Sequence, residues 1–177
     1  MVYMDQRTIS EGCIIHCGGK IVTIRPIRLT DQALESDFVS RLSAESRSFR
    51  VVGALREMPA STLYTFADAD GHYSMAFVAT TVVDGSESVV GVSRYAPRDD
   101  EEVREMAVAV AEDWQETELA QRLARELIEY AGDRGVREMT VVDVAENPVI
   151  KSLVDALDMT RHDNAENSPL TNYRLPL

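Results

Sequence analysis

The chain has 177 residues, 45% of them hydrophobic, enough for one ordinary domain with a substantial core. Its 18 Lys and Arg against 30 Asp and Glu leave a formal charge of −12, the wrong sign for neutralising nucleic-acid phosphates, so no nucleic-acid partner is expected. The longest apolar runs, such as 75–83, fall far short of the ~18 residues of a membrane span, Asp5, Arg7 and Glu11 break the order of a secretory signal, and two cysteines form no disulfide framework. These features predict a reduced, cytoplasmic protein that does not engage a membrane.

In chain order, Glu11-Gly12 and Gly18-Gly19 punctuate β-prone runs around Cys13-Ile14-Ile15-His16-Cys17, which predicts strand, turn, strand. Gly18-Gly19 supplies the positive φ of a tight hairpin turn and feeds a strand over 20–25 that Pro26 closes. Thr30 or Asp31 can cap a helix through Leu42, with Leu34, Phe38 and Leu42 at helical spacing, and a helix-rich patch runs on to about Pro59. Extended runs at 74–83 and 88–96 flank the turn Asp84-Gly85-Ser86, and a third at 103–111 follows an acidic turn, giving an antiparallel meander. Leu119, Leu123 and Leu127, with Ala120, Ala124, Ile128 and Ala131, form an apolar helical stripe that Gly135 should terminate. A strand over 139–144, an Asn147-Pro148 helix start with Ile150, Leu153, Val154 and Leu157 on its buried side, a polar tail from His162 to Pro169 and a last edge strand at 172–175 complete the chain.

Several tempting constellations carry little chemistry. Cys13 and Cys17 point to one face of a strand and His16 to the other, so they cannot converge on zinc, and no metal is expected. Ser168 with His162 and Asp163 lacks the GxSxG turn of a hydrolase nucleophile. His72 follows Asp70-Gly71 as a turn residue, and the lone tryptophan, Trp114, reads as packing. Arg47, Arg50 and Arg56 form a local excess of positive charge that either faces phosphates or balances the many carboxylates.

The order strand, short link, helix, strand, helix from Val103 to Leu157 does carry a signature. The segment AVAVAEDWQETELAQRLARELIEYAGDRGVREMTVVDVAENPVIKSLVDALDM resembles the acetyl-CoA-binding core of the GNAT superfamily of N-acetyltransferases. IRPIRLTDQ, SAESRSFRVVGALREMP and SMAFVAT resemble its bacterial protein-lysine-acetylating branch, so the resemblance spans roughly residues 20–160. It implies an α/β fold with a mixed, mostly antiparallel sheet splayed near Val108–Ala111 and helices on both faces. The chain then reads as one such domain: an added hairpin over 1–20, a core over 21–160, and a C-terminal loop with a possible edge strand over 161–177.

The same resemblance implies acyl-CoA-dependent transfer of an acetyl group to an amine, with a protein lysine as the acceptor. Glu105, in Arg104-Glu105-Met106-Ala107, matches the glutamate that serves as base, against which stands a solvated strand glutamate. The backbone amides of Val108, Ala109, Val110 and Ala111 match the strand that pairs with pantetheine and polarises the thioester carbonyl. Asn147 matches an asparagine that touches the cofactor, or is simply a helix cap. The link Gln115-Glu116-Thr117-Glu118-Leu119-Ala120 matches the loop that offers helix N-terminal amides to the pyrophosphate.

In the family that link runs Gln or Arg, two variable residues, Gly, one variable residue, then Gly or Ala. Here Gln115 and Ala120 are in place, but Glu118 replaces the central glycine, and Glu116 stands where the branch has another. At ~5 Å and an effective dielectric of ~20, one carboxylate facing a phosphate costs about 3 kcal/mol before screening. Two outcomes follow. If the acids turn outward, the chain is an acetyl-CoA-dependent enzyme; if they fill the groove, it is a degenerate, non-catalytic domain acting as a regulatory or ligand-sensing module.

Overall fold

The structure, a computed structural model, describes residues 12–43, 73–97, 102–143, 147–163 and 170–177. The expected helix-rich patch to Pro59, the arginines at 47, 50 and 56, His72 and Ser168 lie outside the described residues.

The hairpin forms as the glycines require. Strands β1 (Cys13–Cys17) and β2 (Lys20–Pro26) pair with Cys17 opposite Lys20, and Gly18 and Gly19 take φ of 56° and 73°. A 3-10 turn at Leu29–Asp31 leads into α1 (Gln32–Arg41). Strands β3 (Met75–Val83), β4 (Ser86–Pro97) and β5 (Val103–Val110) form the meander, with a register shift at Ala79/Thr80 between β3 and β4. After a 3-10 turn at Glu112–Trp114 come α2 (Leu119–Gly132), β6 (Glu138–Asp143), α3 (Pro148–Ala156), β7 (Thr160–Asp163) and β8 (Thr171–Pro176).

The strands form one eight-stranded sheet in the order β1-β2-β3-β4-β5-β6-β8-β7. Every neighbouring pair is antiparallel except β5 and β6, whose parallel joint needs a crossover that the link and α2 supply. Two expectations change at the C-terminus. The residues His162 and Asp163, assigned to a loop, belong to β7, and β8 lies inside the sheet because β7 covers it. A four-residue strand reading TRHD has no apolar alternation and, in Thr160, a single β-branched residue, too little to mark a strand in sequence.

Each face of the sheet has its own core. α2 and α3 cover Val22, Ile24, Phe77, Met106, Val108, Val110 and Val141 with Leu119, Leu123, Leu127, Ile150 and Leu153. On the opposite face, Phe38 of α1 and Leu42 pack on Val78, Val89 and Val92, with Ala109 and Ala111 alongside. α2 sits close on β4 because Gly91 has no side chain: a Cβ there would lie 2.7 Å from Leu123 Cδ1. The Ser93 hydroxyl, itself buried, donates to Leu123 O at 3.1 Å. The helix ends as predicted, with Gly135 at φ 79°, Val136 N donating to Ala131 O and Gly135 N to Gly132 O, the two bonds of a Schellman cap. Among the described residues, no helix is long and apolar enough to cross a membrane.

A buried ion pair fixes where α1 starts. Arg25 Nη1 and Nη2 donate to the two Asp31 oxygens at 2.7 and 2.8 Å, and Asp31 Oδ2 also accepts from Arg28 N. Both side chains are buried, and Glu87 on β4 adds a second carboxylate partner to Arg25 at 3.2 Å. Burial pushes the Asp31 carboxyl up, but its bonds from Arg25 and the Arg28 amide, with the nearby guanidinium charges, outweigh this and hold it below the ordinary carboxylate range. The depressed value means that its stabilisation is full above about pH 4 and is lost as the pH falls through the lower folded value. Asp31→Asn should cost about 3 kcal/mol in neutral urea titrations, because it leaves the buried guanidinium with the half-exposed Glu87 as its one remaining counter-charge. It should also flatten the wild-type loss of stability in acid.

Candidate active site

The site is set by where two strands part. β5 and β6 pair at Val103↔Glu138, Arg104↔Met139 and Glu105↔Thr140, and the described register continues no further. Beyond Glu105, β5 stays on β4 through Val110, while β6 stays on β8 through Asp143. The result is a fork with Glu105 and Thr140 at its base. Thr140 Oγ1 donates to Arg104 O at 3.3 Å across the last shared rung.

Glu105 is 2% exposed. Burial removes the solvated-glutamate alternative and places a carboxylate at the inner end of the fork, on the face it shares with Ala107, Ala109 and α1. Further along β5, Ala111 N donates to Val90 O at 2.9 Å. Antiparallel alternation then turns the N–H groups of Ala109 and Ala111 toward β4, and those of Val108 and Val110 toward the open side of the fork. Of the four expected backbone positions, Val108 and Val110 are the two that can offer N–H groups to a ligand there.

The link continues from β5 as a chain of tight turns. Trp114 N donates to Ala111 O, Gln115 N to Glu112 O and Thr117 N to Trp114 O, at 2.8 to 3.2 Å. The Thr117 hydroxyl donates to Trp114 O at 2.6 Å and accepts from Leu119 N at 3.3 Å. One helix-terminal amide is thus already capped, while Ala120 and Gln121 occupy first-turn positions whose amides have no acceptor within the helix. Gln115 and Glu116 are exposed. Glu118, about half exposed, has its Oε2 3.7 Å from Arg122 Nε, one turn further along α2. That ion pair draws its carboxylate along the helix, away from the amides that point back toward the link.

Asn147 caps α3: its side chain accepts from Val149 N at 2.8 Å, while its own N–H donates to Asp143 Oδ1 at 3.2 Å. The cap uses Oδ1, and the Nδ2 donor is on the other limb of the amide, so capping and a ligand contact are compatible. Trp114 is buried in the core as expected. What lies on it could not be read from the residues around it. Lys20 Nζ sits 5.4 Å from the Trp114 ring centroid, and a Cβ at Gly18 would lie 3.1 Å from Thr117 Cγ2, so the hairpin tip docks on the link. No local pattern encodes a contact between residues almost a hundred positions apart.

The hairpin thiols follow strand geometry. Cys13 and Cys17 pack toward the α2 face, His16 is exposed, and among the described residues no three potential ligands converge on a metal position. Cys13 Sγ donates to Glu126 Oε1 at 3.3 Å. Burial first, then the Glu126 charge and hydrogen bond, push the Cys13 thiol up to about 11. Alkylation of Cys13 by iodoacetamide at pH 8 should therefore run about a hundredfold slower than for a free cysteine. Glu126→Gln should speed it, which peptide mapping by mass spectrometry would show.

An antiparallel sheet that forks at its parallel joint, with a cap-poor helix N-terminus just past the fork, defines a class of α/β acyltransferase domain. The chain belongs to the acetyltransferase (GNAT) family, whose family model matches residues 39–153. It is 38% identical to the acetyltransferase PA5475 of Pseudomonas aeruginosa over 159 residues, covering 90% of this chain and 86% of that protein. Its fold is similar to the GNAT domain of S. lividans PAT, with a TM-score of 0.76 at 20% identity over 94% of this chain and 97% of that one. It is also similar to yncA, a putative acetyltransferase of Salmonella typhimurium solved with acetyl-CoA, with a TM-score of 0.66 at 17% identity over 88% of this chain and 93% of that one.

Proposed function

We propose that this chain transfers an acetyl group from acetyl-CoA to an amine, with a protein lysine as the acceptor and Glu105 as the proton acceptor. The observation that carries this reading is the fork: β5 and β6 share backbone bonds as far as Glu105 and then separate. Separated strands leave N–H and C=O groups that need partners, and an extended pantetheine chain with its amides is a fitting third strand. Acetyl-CoA supplies a thioester whose carbonyl carbon accepts the amine.

Around that thioester the chain's own groups have distinct tasks. The N–H groups of Val108 and Val110 lie along the open side of the fork and serve the pantetheine amides and the thioester carbonyl oxygen. The amides of Ala120 and Gln121, at the start of α2, serve the pyrophosphate, helped by the helix dipole. Gln115 flanks that cradle, Leu119 anchors it in the core, and Asn147 Nδ2 approaches the cofactor from α3. Glu105 takes the amine proton, directly or through a water, as the N–C bond forms. The C–S bond then breaks, and the departing thiolate takes up a proton. The net charge of −12 favours a cationic acceptor such as lysine.

Glu116 and Glu118, which stand where the pattern that the link resembles has glycine, favour a second reading in which the domain does not bind the cofactor. The Glu118–Arg122 pair weighs against it. The test is acetyl transfer from acetyl-CoA to lysine peptides by mass spectrometry. Glu105→Gln should lower turnover by ~100-fold or more at neutral pH while leaving acetyl-CoA affinity nearly unchanged. Unchanged turnover would remove Glu105 from the mechanism.

A further inference from the structure

The link is unusually acidic: Glu112, Asp113, Glu116 and Glu118 fall within ten residues that include no Lys or Arg. Arg122 pairs with Glu118 at the start of α2, and a further cation beside this stretch would favour a diphosphate still more. The hairpin brings one. Strand alternation places Lys20 on the same face as Val22 and Ile24, both buried beneath α2, so its side chain is directed toward the link. The tip is held there by Gly18, whose missing side chain allows close approach to Thr117, and by Lys20 itself, with Nζ 5.4 Å from the Trp114 ring centroid. Lys20 is exposed, so its ammonium is available to an incoming ligand.

We infer that Lys20, carried by the N-terminal hairpin, is a cofactor-phosphate-binding residue that offsets the acids of the link. This rests on the acetyl-CoA reading above. Trp114 adjoins Gln115 at the start of the phosphate cradle, and Thr117, which the hairpin tip touches, lies within it. A flexible four-carbon stem allows Nζ to leave the ring face and meet a phosphate oxygen. A cation–π contact at an exposed site is weak enough to give way to such a bond. The hairpin is then part of the binding machinery: it supplies by electrostatics what a link without glycine does not provide by close approach.

The test is calorimetric binding of acetyl-CoA to the full chain at several salt concentrations, using wild type, Lys20→Met and Lys20→Arg. Lys20→Met keeps the stem over Trp114 and removes the charge. It should raise Kd about tenfold at low salt, with the difference shrinking as salt rises, and Lys20→Arg should stay within about threefold of wild type. If Lys20→Met binds like wild type at every salt concentration, the inference is wrong and the acetyl-CoA reading stands. A loss that is the same at all salts would mark a packing role for the stem and would also overturn it. If wild type shows no binding at all, the acetyl-CoA reading fails and this inference falls with it.

Discussion

Backbone hydrogen bonding in the middle of the sheet is the constraint on which the rest depends. β5 is fixed by β4 from Arg104 to Val110, and β6 along its whole length by β8. The two halves meet over only three residue pairs, Val103 to Glu105 against Glu138 to Thr140. A parallel joint that ends early exposes donors and acceptors on both inner edges, and protein interiors rarely leave such groups unpaired. The fork is therefore a structural liability, and it is where the proposed function seats the cofactor. Its base holds a buried carboxylate, and its outer end leads directly into a helix N-terminus.

The two cores explain how the fork is kept open. α2 and α3 bury the side chains of Met106, Val108 and Val110 on one face, and α1 covers Ala109 and Ala111 on the other. β5 cannot slide toward β6 without disturbing both. Gly91 brings α2 down onto β4, and the Schellman cap at Gly135 turns the chain promptly into β6. On the far side, the Arg25–Asp31 pair fixes the start of α1 against the sheet. Positioning of the fork is thus spread over both faces of the sheet, with Gly91, Gly135, Arg25 and Asp31 contributing from outside the fork itself.

Local features were legible in the sequence. The Gly18-Gly19 hairpin, the Asn147-Pro148 helix start, the Gly135 terminator and the stripe of α2 each depend on interactions within a few residues, and each stands where the sequence placed it. Glu105 was legible as a candidate through its motif, but its burial was not, because that depends on β6 and the opposite face. β7 was missed since Thr160 to Asp163 carries no strand pattern and is strand only through pairing with β8. The contact between Lys20 and Trp114 was equally out of reach, because it arises from how the hairpin folds over the link.

Glu116 and Glu118 carry the remaining tension between resemblance and physics. Substituting glycine by glutamate in a phosphate cradle adds charge and bulk, yet Glu118 is paired with Arg122 and Glu116 is exposed to solvent. Screening at such positions reduces a nominal penalty of about 3 kcal/mol to a small fraction of it. The most direct measurement is calorimetry of acetyl-CoA binding to wild type and to Glu116→Gly with Glu118→Gly, from low to moderate salt. The account predicts micromolar binding by wild type and a gain of less than about threefold in the double variant. A wild type that does not bind, beside a double variant that does, would show that the two acids fill the cradle and would contradict it.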